Sequence, residues 1–220
     1  SKRVVDMKKL NYIDLGFHKG QEIGLVLEHY KNYNDKFDLT IYGVEAYEPH
    51  FLEVEKKYKN RDRVKLFNYA INNQKGLTAL FISKSDKKLG SSLYSTKNGV
   101  NPKSVQSVYG YTFSEFISKY IKDFKSSVNV LKLNIEGAEL SVYEDLIKNH
   151  MRKHIDLFCG HPSHDIEKIS ELSDKKDRYY SLIKEHDIQL SYLCAEGSHT
   201  TDKGKVENKD ESINIFEAVS

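Results

Sequence analysis

The sequence lacks several features that would assign it to a particular class of protein. Its 34 basic and 32 acidic side chains nearly cancel, and the net charge of +2 gives no long-range field that would attract a polyanion. No stretch approaches the roughly 20 uncharged apolar residues that a bilayer span needs, and the first residues contain no apolar leader. We therefore expect no nucleic-acid partner, no membrane insertion and a cytoplasmic location.

Cysteine is scarce as well, because Cys159 and Cys194 are the only two in 220 residues. They could pair, but two thiols near predicted strands more often fill apolar space than form a disulfide framework. Free thiols are typical of a reducing compartment, which again favours the cytoplasm. The chain also contains no repeat and no low-complexity linker, so we expect a single domain over residues 1–220.

What the sequence does contain is an alternation of short apolar runs and amphipathic segments. The runs typical of buried strands lie at residues 11–15, 39–47, 64–71, 128–134, 155–159, 188–193 and 213–216. Helical spacing is found at residues 21–31, 49–59, 113–121, 138–149 and 173–185, and Thr112 is a suitable cap for the third of these helices. Strands that alternate with helices indicate a mostly parallel sheet covered on both faces. We predict a doubly wound, Rossmann-like α/β fold with seven strands.

The middle of the chain departs from this alternation. Residues 72–76 are typical of a turn into a further β segment at residues 77–82, which predicts an extra β-hairpin. Residues 86–109 are polar and show no sustained period, which indicates a long functional loop, since compact domains seldom keep one without a use. We expect this loop, which includes the sequence GSSL at residues 90–93, to close over a bound ligand.

The first junction between a strand and a helix carries the glycine loop DLGFHKG at residues 14–20. Backbone N–H groups and the helix dipole form a ligand site at such a junction, and glycine lets the backbone approach the ligand. The loop lacks the third glycine of the dinucleotide fingerprint G-x-G-x-x-G, which disfavours NAD. It favours a ligand with an amino-acid end, whose ammonium group Asp14 would bind directly or through water. An ordinary tight turn capped by Asp14 is the alternative.

The second predicted strand ends near two carboxylates, Glu45 and Glu48. A carboxylate at the tip of this strand can accept hydrogen bonds from both ribose hydroxyls of a nucleoside. We assign this role to Glu48, because Glu45 lies three positions earlier and alternation along the strand turns it to the opposite face. Pro49 then lies in the first turn of the next helix, where proline is tolerated.

These residues belong to four ordered motifs that resemble the FkbM family of methyltransferases over residues 12–161. The matching segments are DLGFHKG at residues 14–20, YEP at 47–49, NYAI at 68–71 and LKLNIEGAE at 131–139. The chain departs from the family pattern at Phe17 and His18, where Ala-Asn is usual, and at Asn134, where many members carry Asp. The change at Asn134 removes a possible basic or metal-binding carboxylate.

The resemblance implies an S-adenosylmethionine-dependent methyltransferase with its cofactor across the carboxyl ends of the strands, where the strand order reverses. The cofactor-binding candidates that follow are Asp14, Gly16, His18, Gly20, Glu48, Pro49, Ala70, Ile71 and Asn134. Gly16 and Gly20 would line the methionine portion, Glu48 would bind the ribose, and Ala70 with Ile71 would line the adenine. The family also suggests a sugar or another hydroxyl-bearing small molecule as the acceptor, which gives O-methylation.

A general base assists methyl transfer to a hydroxyl, and we expect it at a strand end. His161 is the preferred base, because imidazole titrates near neutral pH, and His164 and His18 are further candidates. Glu136 either orients the acceptor or braces its loop, and Glu139 is expected to stabilise a helix N-terminus by its charge. We predict no structural zinc and leave a catalytic cation open.

Two other functions stay open on the sequence alone. A Rossmann-type oxidoreductase is disfavoured by the missing third glycine of the dinucleotide fingerprint. A methyltransferase-like domain that has lost catalysis and serves as an interaction module is compatible with the departures at Phe17, His18 and Asn134.

Overall fold

The structure, a computed structural model, describes residues 7–160, 165–195 and 212–220. The strands are β1 (Lys8–Leu15), β2 (Phe37–Val44), β3 (Val64–Phe67), β4 (Ala70–Ile71), β5 (Gly76–Ser83), β6 (Val100–Tyr111), β7 (Val128–Leu133), β8 (Leu157–Gly160) and β9 (Leu190–Tyr192). The α-helices are α1 (Gln21–Tyr30), α2 (Glu48–Tyr58), α3 (Phe113–Tyr120), α4 (Glu139–Lys148), α5 (Lys176–Glu185) and α6 (Ile215–Ala218).

Six strands form the main sheet, in the order β3-β2-β1-β7-β8-β9. All neighbours in this sheet pair in parallel, which confirms the mostly parallel α/β architecture. Chain order reverses at the centre, because β2 and β3 continue to one side of β1 while β7, β8 and β9 lie on the other. Ligands of open parallel sheets bind beyond the carboxyl ends of the strands at such a reversal.

The main sheet is packed on both faces, because neighbouring residues of β1 enter different hydrophobic clusters. Tyr12 packs in a cluster with residues of α1, α2 and α6, and Ile13 packs in a cluster with residues of α3, α4 and α5. Both side chains are 0% exposed. Side chains alternate between the two faces of a strand, so these clusters lie on opposite sides of the sheet.

The middle of the chain forms a separate three-stranded sheet with the order β4-β6-β5. β5 and β6 are antiparallel, whereas β4 runs parallel to β6. The predicted hairpin through residues 72–76 is not confirmed, because β4 and β5 both pair with β6 and not with each other. The predicted loop over residues 86–109 is too long, because β6 begins at Val100; we call the connection between β5 and β6, residues 84–99, the cavity segment.

The predicted third strand, residues 64–71, is divided between the two sheets. β3 ends at Phe67 in the main sheet, and β4 begins at Ala70 in the second one. Asn68 stabilises the turn between them, since its side-chain nitrogen donates to the carbonyl oxygens of Glu45 at 2.9 Å and Ala46 at 3.1 Å.

The predicted seventh strand, residues 213–216, is not confirmed. Asn214 instead caps α6, because its side-chain oxygen accepts a hydrogen bond from the backbone nitrogen of Phe216 at 3.1 Å. Ile215 and Phe216 are 0% exposed and pack against α1, so the short apolar run is buried as a helical turn.

Three smaller predictions can be compared with the described residues. Thr112 caps α3 in a reciprocal capping box with Glu115, which confirms that helix start. Cys159 and Cys194 are both buried, and no disulfide joins them. In the described ranges no helix is long and apolar enough to span a bilayer.

Candidate functional site

A cavity of about 520 Å³ opens where the main sheet reverses its strand order. Its walls come from the residues that follow β1, β2 and β7, from β4, and from the cavity segment. This volume includes the solvent at the open mouth of the cavity. The cavity therefore lies where the topology places a ligand.

The structure brings together six of the predicted site residues. The cavity is lined by Gly16, His18, Ala70, Ile71, Asn134 and Glu136. Four other predicted residues do not line it, namely Asp14, Gly20, Glu48 and Pro49. His161, the preferred base, and His164 lie outside the described residues, so their roles stay predictions.

Gly16 lies where two chain segments approach each other so closely that only glycine fits. It has a φ of +79°, and a Cβ built on it would lie 1.9 Å from the carbonyl oxygen of Asn134. The two segments are also joined by a hydrogen bond from the Asn134 nitrogen to the Leu15 carbonyl at 3.0 Å. The glycine loop and the start of the 134–139 turn thus form one continuous wall of the cavity.

Gly20 has a different use from the one that the resemblance implied. It precedes α1 with a φ of +72°, and a Cβ built on it would lie 2.9 Å from a methyl carbon of Val54 in α2. Its lack of a side chain therefore permits α1 to pack against α2, and it does not line the cavity.

Asp14 lies beneath the glycine loop and not in the cavity wall. It is 0% exposed, and its Oδ1 lies 2.8 Å from Nζ of Lys132. The same Nζ donates to the carbonyl oxygen of Gly16 at 2.7 Å. Burial raises the pKa of Asp14, and the ammonium group of Lys132 opposes this shift. Direct contact with a ligand ammonium does not fit this placement; Asp14 and Lys132 brace the loop from below.

Glu45, and not Glu48, is the carboxylate in the cavity wall. Its Oε2 accepts a hydrogen bond from the backbone nitrogen of His18 at 2.8 Å, and its Oε1 accepts one from Tyr47 at 2.8 Å. Burial raises the pKa of Glu45 to about 7, although both backbone hydrogen bonds lower it. Glu45 thereby fixes the glycine loop to the end of β2.

Glu48 is the first residue of α2 and is exposed. Its backbone nitrogen donates to the side-chain oxygen of Gln106 at 3.2 Å. The expectation that Glu45 faces away from the ligand side was wrong, because β2 ends at Val44 and strand alternation does not extend through residues 45–48. Glu48 lies one residue beyond the cavity-lining Tyr47, and its ribose role stays a prediction.

The turn after β7 holds Glu136 in an uncommon backbone conformation, with a φ of +58°. Glu139 braces this turn, because its carboxylate accepts hydrogen bonds from the backbone nitrogens of Ile135 at 2.9 Å and Gly137 at 2.8 Å. Non-glycine residues with positive φ cost energy and cluster at functional sites. The placement of Glu139 at the start of α4 fits the predicted stabilising charge.

Glu136 is the carboxylate on which several segments converge. Lys97 of the cavity segment places Nζ 2.7 Å from Oε2, and His18 of the glycine loop places Nε2 3.8 Å from Oε1. Burial and the neighbouring Asp165 raise the pKa of Glu136, Lys97 lowers it, and the result is a pKa of about 7. A carboxyl group that titrates near neutral pH can exchange a proton with a ligand.

A family model described as the methyltransferase FkbM domain matches residues 14–155. The chain belongs to the FkbM methyltransferase family. The match spans more than half of the chain and contains the glycine loop, the central strands β6 and β7 and the 134–139 turn, which confirms the resemblance seen in the motifs. Neither a curated protein nor a solved structure matches the chain significantly.

Two residues of this FkbM domain were missed by the sequence reasoning. Lys132 lies inside the fourth motif, and a lysine in a buried strand needs a partner; Asp14 is its register partner in the β1–β7 pairing. That signal could have paired them. Lys97 lies in a polar segment without a motif, and only the tertiary structure brings it to Glu136.

Metal binding by the FkbM domain can be judged over the described ranges only. Within them, no group of three or more His, Cys, Asp or Glu side chains is arranged to hold a metal ion. The absence of a structural zinc stays a prediction for the chain as a whole.

Proposed function

We propose that this FkbM domain is an S-adenosylmethionine-dependent O-methyltransferase that acts on a sugar or another hydroxyl-bearing small molecule. The observation that carries the proposal is the cavity at the strand-order reversal, bounded by the glycine loop on one side and by Glu136 on another. When bound, the cofactor supplies a methyl group carried on a positively charged sulfur.

The cavity walls suit the parts of that cofactor. The backbone around Gly16 and His18 would face the methionine end, and the buried Ala70 and Ile71 of β4 offer an apolar surface to adenine. Asn134 lines the cavity between these two regions without adding charge.

Glu45 and Glu48 are the two candidate carboxylates for binding the ribose hydroxyls. We assign this role to Glu48. Both oxygens of Glu45 already accept backbone hydrogen bonds, so Glu45 shapes the wall. Glu48 matches the family motif and is exposed at the rim, next to Tyr47. Pro49 follows it as the second residue of α2, in the first helical turn, where proline is tolerated.

Among the described residues, Glu136 is best placed to receive the acceptor's proton. Its carboxylate lines the cavity, and a pKa of about 7 leaves much of it ionised at neutral pH. His161 follows β8 in the sequence and is the alternative base. In either case the protein has to hold the hydroxyl in line with the methyl group, which supplies most of the rate enhancement.

Calorimetry with S-adenosylmethionine, S-adenosylhomocysteine and NAD tests the cofactor. We expect one equivalent of either adenosyl compound to bind and NAD to give no heat. Binding of NAD alone would support the oxidoreductase and contradict the proposal.

A second measurement tests the ribose assignment and the reaction. Glu48→Gln should weaken S-adenosylhomocysteine binding about tenfold or more, since it removes a charge-assisted hydrogen-bond acceptor. Glu55→Gln, at another exposed position of α2, is the matched control. Transfer of a labelled methyl group to members of a monosaccharide and glycan panel should accompany binding; binding with no transfer to any acceptor supports the inactive interaction module.

A further inference from the structure

The cavity segment, residues 84–99, is tied to Glu136 at two points. The Ser92 hydroxyl donates to the Glu136 carbonyl oxygen at 2.7 Å. The Lys97 ammonium group lies 2.7 Å from the Glu136 carboxylate and also donates to the Gly90 carbonyl at 3.1 Å. Lys97 thus joins a backbone turn of the segment to the Glu136 carboxylate.

The ion pair is screened from solvent, because the side chains of Lys97 and Glu136 are only 7% and 13% exposed. The Coulombic attraction between two charges is stronger in such surroundings than at the surface, and the loss of either partner leaves an uncompensated charge. Lys97 therefore affects the protonation of the Glu136 carboxylate as well as the position of the segment.

Three other titratable groups act on Glu136 from the elements around it. Asp165 and Glu139 raise its pKa, as burial does, while Lys97 lowers it. His18 lies 3.8 Å away and contributes a positive charge only when it is protonated. Lys97 is accordingly the permanent cation in this set.

The two oxygens of Glu136 have different neighbours. Lys97 lies against Oε2, while Oε1 faces Nε2 of His18 at 3.8 Å. His18 and Glu136 both line the cavity, and Oε2 of Glu136 is already paired with Lys97. Oε1 is therefore the atom that can receive a proton from an acceptor bound in the cavity.

We propose that Lys97 is a positioning residue that keeps the Glu136 carboxylate ionised while the cavity segment lies against the site. This inference rests on the proposed methyltransferase function. In the step that it serves, the O–H bond of the acceptor breaks, the proton moves to Oε1 of Glu136, and the electron pair stays on the acceptor oxygen. Protonation of Glu136 would in turn remove the charge that holds Lys97 of the segment.

A carbon-13 NMR titration of the full chain labelled at glutamate side chains tests the proposal without any acceptor. Glu136→Gln assigns the resonance. Lys97→Met should raise the titration midpoint of Glu136 by about one pH unit or more, a tenfold tighter hold on the proton, and Lys97→Arg should restore it. Lys88→Met is the matched control, because Lys88 lies in the same segment and lines the cavity but makes no ion pair with Glu136.

A midpoint that is unchanged or lowered in Lys97→Met would overturn the proposal, since the loss of a residue that only holds the segment would expose Glu136 and would not raise its pKa. If Lys97→Met does not fold, amide exchange in the wild-type chain decides. The amides of Phe81 and Ser92, which bond to each other's carbonyls, should lose protection as Glu136 becomes protonated, after correction for intrinsic exchange rates; constant protection would contradict the coupling. Failure of S-adenosylhomocysteine to bind in calorimetry would instead refute the proposed function.

Discussion

Replacement of Lys132 by methionine should destabilise the chain strongly and loosen the glycine loop. In the structure, Nζ of Lys132 lies 2.8 Å from Oδ1 of Asp14 and 2.7 Å from the Gly16 carbonyl oxygen, and both ionic side chains are almost fully buried. Removing one partner of a buried ion pair typically costs 3–5 kcal/mol, about half of the stability of an ordinary domain. Methionine keeps the apolar volume, so this figure reflects the lost charge and hydrogen bonds and not a cavity.

Urea denaturation of three variants measures this effect. Lys132→Met should lower the free energy of unfolding by about 3–5 kcal/mol at pH 8. The loss should become smaller at pH 5, because protonation of the unpaired Asp14 removes its buried charge. The double variant Asp14→Asn with Lys132→Met should recover a large part of the stability, since no isolated charge is left.

A cost of less than about 1 kcal/mol for Lys132→Met, the range of an exposed ion pair, would contradict this role of the buried pair. A double variant that is less stable than Lys132→Met alone would contradict it as well. Lys65→Met serves as a control on another strand of the same sheet, since Lys65 is exposed.

Three further predictions concern the cavity walls. Gly16→Ala should lower the free energy of unfolding by about 1–2 kcal/mol because of the positive φ alone, and by more because of the clash with Asn134. Thermal or urea unfolding measures this loss, and an unchanged stability would contradict the close approach of the two segments. Ala70→Leu should reduce S-adenosylhomocysteine affinity tenfold or more, because the larger side chain would occupy the space beside the apolar wall, and it should lower the stability by about 1–3 kcal/mol. An unaltered affinity in calorimetry would contradict the assignment of adenine to that wall. Glu45 and Glu136 have pKa values of about 7, raised by burial, so the folded chain binds their protons more tightly than the unfolded chain. Their contribution to the folding stability is fully present below about pH 4.5 and is lost as pH rises to 7, by up to about 1.4 kcal/mol per pH unit for each group. Urea midpoints from pH 4.5 to 8 measure this loss, and Glu136→Gln should make the stability fall less steeply with pH.

The sequence predicted those parts of the fold that leave a local signature. The buried strands β1 and β7 are rich in apolar residues, and the glycine loop between β1 and α1 has a fixed spacing. The Thr112 cap is likewise set by residues within one turn of helix. The cavity's position follows from these elements, because parallel strands place their carboxyl ends at one edge of the sheet.

Other elements depend on partners that are distant in the sequence. Residues 100–109 are polar and contain exposed lysine and serine, so their strand is defined by pairing with β5 and not by an apolar run. Residues 213–216 form a short apolar run, which periodicity cannot assign to a strand or a helix; burial against α1 decides for the helix.

The site residues likewise fall into those that a sequence motif predicts and those that only the tertiary structure brings to the cavity. Gly16, Ala70 and Asn134 belong to motifs and were found from them. The wall position of Glu45 depends on where β2 ends, and Lys97 reaches Glu136 only through the tertiary path of the cavity segment. Neither contact leaves a signal in the spacing of the sequence.

A crystal structure of the chain with S-adenosylhomocysteine tests the central claim most directly. We predict density for the ligand in the cavity, with its amino-acid end against Gly16 and His18 and its adenine against Ala70 and Ile71. A saturated crystal in which the ligand lies elsewhere, or in which this cavity contains only solvent, would contradict the account.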